Sequence, residues 1–398
     1  MRRSSLSLLT LALGVFSIIT TEMGIVGVLP QVAARLDVST STAGLLVGSF
    51  ALVVAAFGPF MTLAASRIDR RTVLAATMAV FAVSNAVYAL TTHFEVMLAF
   101  RIIPALFHPV FFSVALAAAV RLGPAADPAR AAARVFAGVT VGFAFGVPVL
   151  SYLAGHLTLQ AAFWFSAAVN LAAFTGILRF VPRMPAGERI SYRAQLGVLR
   201  SARMWLSILS VTFVFAAMFS VYGYFAEYLG TVTAMNESWV SAMLLVFGTV
   251  MIFGNFAFAA LLRSGVARTM LAYPVLCLAV FALVFAFGPR FAPMIAVVAL
   301  WAAVHSGGLI VCQTWMGRDA RDAPEFGNAL FVSFSNLGIT VGTTVGGWTL
   351  ASFSTRLLPW TGAAFALAAL ASVLARLALA KRTQTRAGAE KREPAPAR

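Results

Sequence analysis

Long apolar runs separated by short polar pieces fill almost the whole chain. Twelve runs stand out, roughly 6–29, 42–65, 72–91, 94–120, 132–155, 159–181, 204–230, 237–262, 267–288, 291–316, 326–354 and 358–380. A helix needs about 20 apolar residues to cross the hydrocarbon core of a bilayer. The runs meet that length and are too uniformly apolar for the alternating strands of a barrel. The pattern therefore predicts an all-α integral membrane protein with twelve transmembrane helices. The first run opens MRRSSLSLL, like the start of a signal peptide. Its apolar stretch continues to Leu29 without a small-residue cleavage site, so it reads as an uncleaved first span. The one longer gap, 182–203, is rich in Arg, Pro, Gly and Ser. It divides the chain into an N-terminal six-helix bundle, 1–181, and a C-terminal one, 204–380. The polar, charged tail 381–398 reads as disordered.

Composition narrows the class. Of 398 residues, 61% are hydrophobic and only 11% charged, against about 25% charged in a soluble domain. The formal net charge is +16. The basic residues sit between apolar runs, so they report membrane topology and not a nucleic-acid-binding face. Numbering gaps from the N-terminus, Arg35, Arg290 and Arg356 fall in odd gaps. Nearly all other basic residues fall at the termini and in even gaps, such as Arg67, Arg70 and Arg71. The positive-inside rule then places both termini in the cytoplasm. Cys277 and Cys312 lie inside apolar runs, which excludes a disulfide framework and a multi-cysteine metal site. The lysines are Lys381 and Lys391, both in the tail, so no P-loop lysine stands upstream. His93 and His156 lie near span ends, and neither HExxH nor GxSxG occurs, which argues against an enzyme. The absence of a soluble output domain argues against a sensor. No cofactor is expected beyond a proton gradient.

The halves repeat. His108 and Arg121 return as His305 and Arg318, offset by 197. Gly138, Gly142 and Gly146 return as Gly338, Gly342 and Gly346, offset by 200. Phe57-Gly58-x-Phe60 returns as Phe253-Gly254-x-Phe256, and Arg71-Thr72-x-Leu74 as Arg268-Thr269-x-Leu271. Two parallel halves of six helices are the mark of a secondary transporter with its site near mid-membrane between them.

These features resemble the major facilitator superfamily, and more closely its proton-coupled efflux branch of sugar, purine-nucleoside and drug exporters. TTEMGIVGVLPQVAARLDVS, 20–39, resembles that branch's first-helix signature, and GPFMTLAASRIDRRTVL, 58–74, its motif between spans 2 and 3. RIIPALFHPVFFSVALAA, 101–118, resembles the fourth helix of the sugar-efflux group, and GVTVGFAFGVP, 138–148, the fifth-helix antiporter motif. The resemblance covers the chain to about residue 380. Thr62 and Ser66 stand where the loop motif has Gly and Asp, which puts its Asp–Arg latch in question; Asp69 lies close by. Pro104 and Ala105 replace the usual Gln and Gly of the fourth helix. The resemblance implies a monomer in a bacterial-type inner membrane that exchanges protons for sugars, related neutral solutes or drugs. A multidrug or nucleoside exporter, or an importer or uniporter, are the alternatives. It also implies a cavity lined by spans 1, 4, 7 and 10, and a conformational role for Arg67, Asp69, Arg70, Arg71, the ladder Gly138, Gly142 and Gly146, and Pro148.

Polar residues inside spans are costly and are functional candidates for that reason. Glu22 is flanked at helical spacing by Ile18, Ile19, Ile25 and Val26, a setting that favours proton uptake. The alternatives are a static ion pair or a carboxylate bonded to Thr20 or Thr21. Arg101 and His108 are seven residues apart and share one helix face. Arg101 is expected to bind substrate or pair with Glu22. His108 reads as a proton or substrate site, or as a packed, hydrogen-bonded residue. His305 is its repeat partner, and the two are expected to form half-sites facing each other across the cavity. Tyr222 is expected as a cavity contact, with Trp301, Gln313 and Asn328 as weaker substrate contacts. Asn328 and Asn336 read also as interhelical hydrogen-bonding residues, Tyr224 and Tyr228 as an interfacial aromatic belt, and the glycine ladders as close-packing faces.

Overall fold

The computed structural model describes residues 2–65, 67–122, 128–185, 197–321 and 324–390. The heart of the 182–203 gap, 186–196, and residues 391–398 lie outside them. Among the described residues, twelve helices are long and apolar enough to span a membrane. They are span 1 (Ser5–Gly27), span 2 (Thr40–Ala65), span 3 (Arg70–Leu90), span 4 (Phe94–Leu122), span 5 (Arg130–His156), span 6 (Leu159–Phe180), span 7 (Ala202–Thr231), span 8 (Glu237–Ser264), span 9 (Val266–Phe287), span 10 (Phe291–Asp319), span 11 (Phe326–Ser352) and span 12 (Thr355–Ala380). Each matches its sequence-predicted run to within about one helical turn. They form two pseudo-symmetric six-helix bundles.

Local chemistry sets the boundaries. Asp69, Thr158 and Asn236 cap spans 3, 6 and 8, each side chain accepting from an amide of the first turn. Span 1 breaks at Val28, and a short helix, Leu29–Arg35, restarts with Pro30 in its first turn. Gly265 alone turns span 8 into span 9, at a φ of 157° that a side chain would strain. Span 12 continues as one helix to Glu390, into the first part of the tail that composition reads as disordered. Its Lys, Arg, Gln, Ala and Glu residues are good helix formers, and the preceding turns supply the nucleus.

Within each half the glycine ladder brings two backbones together. A methyl group at Gly138 would strike the Ala12 carbonyl, and one at Gly142 would lie 2.7 Å from Ile19 Cγ2. One at Gly146 would strike the Thr20 hydroxyl. In the second half Gly338, Gly342 and Gly346 face the carbonyls of Thr212, Ala216 and Ser220. The ladders are thus the faces on which span 5 meets span 1 and span 11 meets span 7. Apolar helices gain little from burial against each other in lipid, so close backbone approach has to supply the attraction. Between the ladder glycines, residues Gly142–Gly146 form a π-helical segment that passes directly into Pro148.

Two further glycines join the halves. Gly48 of span 2 faces Thr343 of span 11, with a methyl placed 2.9 Å from its hydroxyl. Gly248 of span 8 lies against Phe143 and Ala144 in the π segment of span 5. Hydrogen bonds between the halves gather toward the end away from the termini. Ser41 donates to the Gly347 carbonyl at 2.8 Å, Thr40 to Glu227 at 3.2 Å and Gln31 to Glu237 at 3.3 Å. Ser151 meets Ser241, and His156 meets Ser238, each at 2.9 Å. That end of the molecule is closed.

A Gly346→Leu variant should be destabilised by about 1–3 kcal/mol, because its side chain meets the Ser220 backbone and not a movable side chain. Thermal unfolding in detergent should show a midpoint several degrees lower. Gly317→Ala, where a methyl group meets nothing within 4 Å, should show no such loss.

Candidate functional site

Glu22 and His108 meet in the middle of the N-terminal bundle. His108 Nε2 lies 3.0 Å from Glu22 Oε2, and both residues are buried. The contact has no aligned hydrogen bond in this geometry, and His108 Nδ1 is buried without a partner. Phe50 stands edge-on to the imidazole at 5.6 Å, and Phe112 tilts against it at 4.6 Å. One acid and one imidazole therefore meet inside an aromatic wall.

Arg101 does not pair with the Glu22 carboxylate, contrary to the sequence expectation. Its guanidinium donates to three backbone carbonyls: Thr21 at 2.9 Å, Glu22 at 3.1 Å and Leu46 at 3.2 Å. It also lies over the Phe50 ring, 4.8 Å from the centroid. The rigid five-donor fork of arginine suits this task, and each carbonyl has a second lone pair to offer. Arg101 thus ties spans 1 and 2 to span 4. The shared face of Arg101 and His108 places one against the backbone of residue 22 and the other against its side chain.

Behind residue 22 stands a polar support that the sequence reading missed. Thr21 Oγ1 accepts from Asn85 Nδ2 at 3.0 Å and from Asn170 Nδ2 at 3.2 Å. It donates in turn to the Ser17 carbonyl. Spans 1, 3 and 6 converge on one hydroxyl. The available signal was two asparagines inside apolar runs, residue types that bond across helices in membranes.

The second half carries the matching positions. The glycine ladders pair Ala12 with Thr212 and Thr20 with Ser220, a register of 200 in spans 1 and 7. Tyr222 is therefore the counterpart of Glu22. His305 corresponds to His108, and Phe247 to Phe50. Tyr222 lies 4.7 Å from His305, and Phe247 stands edge-on to His305 at 5.2 Å. The acid–imidazole–phenyl arrangement of the first half returns as phenol–imidazole–phenyl. Trp301, Phe225 and Phe219 complete this cluster, in which Tyr222, Trp301 and His305 are almost wholly buried. Phe143 of the π segment approaches Tyr222 from the other half at 6.4 Å. His305, Trp301 and Tyr273 also line a void of about 10 Å³ inside the C-terminal bundle, near the smallest size that holds a water.

The interhelical hydrogen bond expected as one reading of Asn328 is present. Gln313 donates to Asn328 at 3.1 Å, so these two exposed residues link spans 10 and 11 to each other. Asn336 bonds back to its own helix at Val332. Tyr224 and Tyr228 are buried, not at a lipid interface; they donate to the Thr343 and Val284 carbonyls. In the loop between spans 2 and 3, Asp69 makes no arginine latch among the described residues. It accepts from the Thr72 amide at 3.1 Å and from the Met184 amide at 2.9 Å. The Arg70 amide donates to the Met184 carbonyl, and Arg71 donates to the Leu178 carbonyl. Arg67 is exposed. The loop is thus fastened to the end of span 6 within its own half.

Arg376, near the end of span 12, is buried in the C-terminal bundle. It pairs with Asp319 at 2.5 and 3.1 Å and lies 4.2 Å over the Trp315 ring. Ser207 donates to the same carboxylate at 2.6 Å. Spans 7, 10 and 12 are joined there.

With this geometry in view, the comparisons with known proteins are direct. The model of the Major Facilitator Superfamily matches residues 11–323. The chain belongs to that superfamily of membrane transporters. It is 29% identical over 380 residues to the inner membrane transport protein YdhP of Escherichia coli K12, covering 95% of this chain and 97% of that protein. It is 33% identical over 256 residues to a chloramphenicol resistance protein of Streptomyces lividans, covering 63% and 64%. Among solved structures it resembles the nucleoside transporter NupG, with a TM-score of 0.74, 14% identity, and coverage of 94% and 99%. At that identity the last likeness speaks for the fold alone.

Two predictions follow from the local chemistry. Double-mutant cycles on thermal stability should find Arg101→Lys and Glu22→Gln less strongly coupled than His108→Ala and Glu22→Gln, because Arg101 meets residue 22 only at its backbone carbonyl. His108→Ala and Glu22→Gln should be coupled. Partial burial pushes the Asp69 carboxyl up, but the Thr72 and Met184 amides, with the Thr72 hydroxyl, outweigh it and hold the group below its ordinary value. Its contribution to stability is therefore present above the usual carboxylate range and is lost as pH falls through the depressed value. Acid unfolding profiles of wild type and Asp69→Asn should differ above that window and converge below it.

Proposed function

We propose that this transporter exports small solutes by proton antiport with alternating access, using Glu22 and His108 as the proton site. The observation that carries the reading is the 3.0 Å approach of His108 Nε2 to Glu22 Oε2 inside the membrane. An ionised carboxylate alone in that setting is costly, and so is a lone imidazolium. Their proximity lets the pair exist either as acid beside neutral imidazole or as a compensated ion pair. Both forms hold the same single proton; releasing it leaves one carboxylate, to which the neutral imidazole can turn an N–H donor.

The positive-charge asymmetry places both termini in the cytoplasm, so the closed end faces outward. In this state a solute enters from the cytoplasmic side while Glu22 gives its proton to that side. The halves then rock about the seams at Gly48 and Gly248. The solute leaves outward, and a proton from outside reloads the Glu22–His108 pair before the return. Arg101 positions residue 22 throughout the cycle. Phe143 and Pro148 of span 5 sit at the moving seam.

The second half-site, Tyr222 with His305, suits the uncharged part of a solute. A phenol and an imidazole walled by Phe219, Phe247 and Trp301 favour a ring face with a hydroxyl or carbonyl group. This chemistry suits a neutral ring-bearing drug or nucleoside better than an open polar sugar. The name of the Streptomyces relative points the same way.

The test is gradient-driven uptake into inside-out vesicles of arabinose, inosine and chloramphenicol, for wild type and Glu22→Gln together. Uptake of at least one solute that depends on an imposed pH gradient, and falls at least tenfold in Glu22→Gln, is expected. Wild-type gradient dependence in the variant would remove Glu22 from the proton path.

A further inference from the structure

The closed outer end contains a cavity that the central site does not use. It measures about 260 Å³ and is built from both halves. Pro30, Gln31 and Ala34 come from the short helix after span 1, and Ser151 from span 5. Ala226 and Gly230 come from the end of span 7, and Met235, Glu237 and Val240 lie at and just before the start of span 8. The walls are largely apolar, and the polar groups on them are chiefly hydrogen-bond acceptors. Glu237 contributes a carboxylate. Gln31 spends its amide nitrogen on Glu237 Oε1 at 3.3 Å. Its amide oxygen is buried and has no partner. Ser151 is already engaged with Ser241. No basic residue lines the space.

We infer that this cavity binds a small amphipathic organic cation, with the ammonium group on the Glu237 carboxylate and the apolar body against Met235, Val240 and Ala226. Size supports the class: a dry cavity of about 150 Å³ already accepts benzene, so this one takes a ring with a short charged arm. The ligand touches both halves at once. It therefore fits only while this end is shut, and its binding favours the closed conformation by mass action. That consequence rests on the alternating-access reading above; the binding itself does not.

Gly230 makes the inference testable. A methyl group built there meets nothing within 4 Å, so a larger side chain can enter the cavity without displacing the fold. The experiment is calorimetric titration of phenethylammonium into the detergent-purified full chain, with 2-phenylethanol as the uncharged control. Wild type should bind the cation with a 1:1 end point and the alcohol at least tenfold more weakly. Glu237→Gln and Gly230→Leu should each weaken cation binding at least tenfold, and Glu22→Gln should leave it unchanged. Cation binding that is equal in wild type, Glu237→Gln and Gly230→Leu would overturn the inference, as would equal affinity for the alcohol. Loss of binding in Glu22→Gln alone would assign the cation to the central site instead. Because the readout is binding and not transport, it stands or falls separately from the proton-antiport assignment.

Discussion

Helices in a membrane have no hydrophobic reason to touch each other, and this protein meets that constraint with backbone contact through glycine. Gly138, Gly142 and Gly146 lay span 5 on span 1, and Gly338, Gly342 and Gly346 lay span 11 on span 7. Gly48 and Gly248 then seat each half on the other. Everything else is arranged around these contacts. They fix the depth and rotation of spans 1 and 7, and hence where Glu22 and Tyr222 stand. A side chain at a ladder position would separate the backbones and remove the dispersion attraction that replaces burial in lipid.

On that frame the halves diverge in chemistry while keeping their geometry. Each places an imidazole from its fourth helix beside a residue of its first helix, with a phenylalanine edge from its second. In one half the partner is a carboxylate, and the local polar groups are numerous: Arg101 on three carbonyls, and Asn85 and Asn170 on Thr21. In the other the partner is a phenol, and the surroundings are aromatic. One half thus holds a carboxylate beside its imidazole, and the other a cluster of rings. The polar supports concentrate around the carboxylate, because unsatisfied polar groups are dearest in a low-dielectric interior.

The π-helical segment Gly142–Gly146 lies where these demands meet. It faces span 1 through its glycines, span 8 through Phe143 and Ala144, and Tyr222 through the Phe143 ring. A widened turn of this kind leaves a backbone able to regain regular α-helical bonding, and such turns recur at functional sites. Pro148 follows at the start of the next α-helical stretch, where its missing amide costs little.

The sequence by itself determined the twelve spans, the two halves and which polar residues stand inside the spans. Hydropathy, charge asymmetry and a repeat are one-dimensional signals, and a bilayer leaves the helix as the one way to satisfy each backbone group locally. Glu22, Arg101, His108 and His305 were legible because polar groups in apolar runs are conspicuous. Tertiary structure alone decided who partners whom. Spacing along span 4 placed Arg101 and His108 on one face, but only packing sent the histidine to the Glu22 carboxylate and the arginine to carbonyls of spans 1 and 2. Packing likewise drew Arg376 inward to Asp319 and spent Gln313 on Asn328. Helix rotation, depth and crossing are set by contacts between residues hundreds of positions apart, and a short window of sequence carries no measure of them.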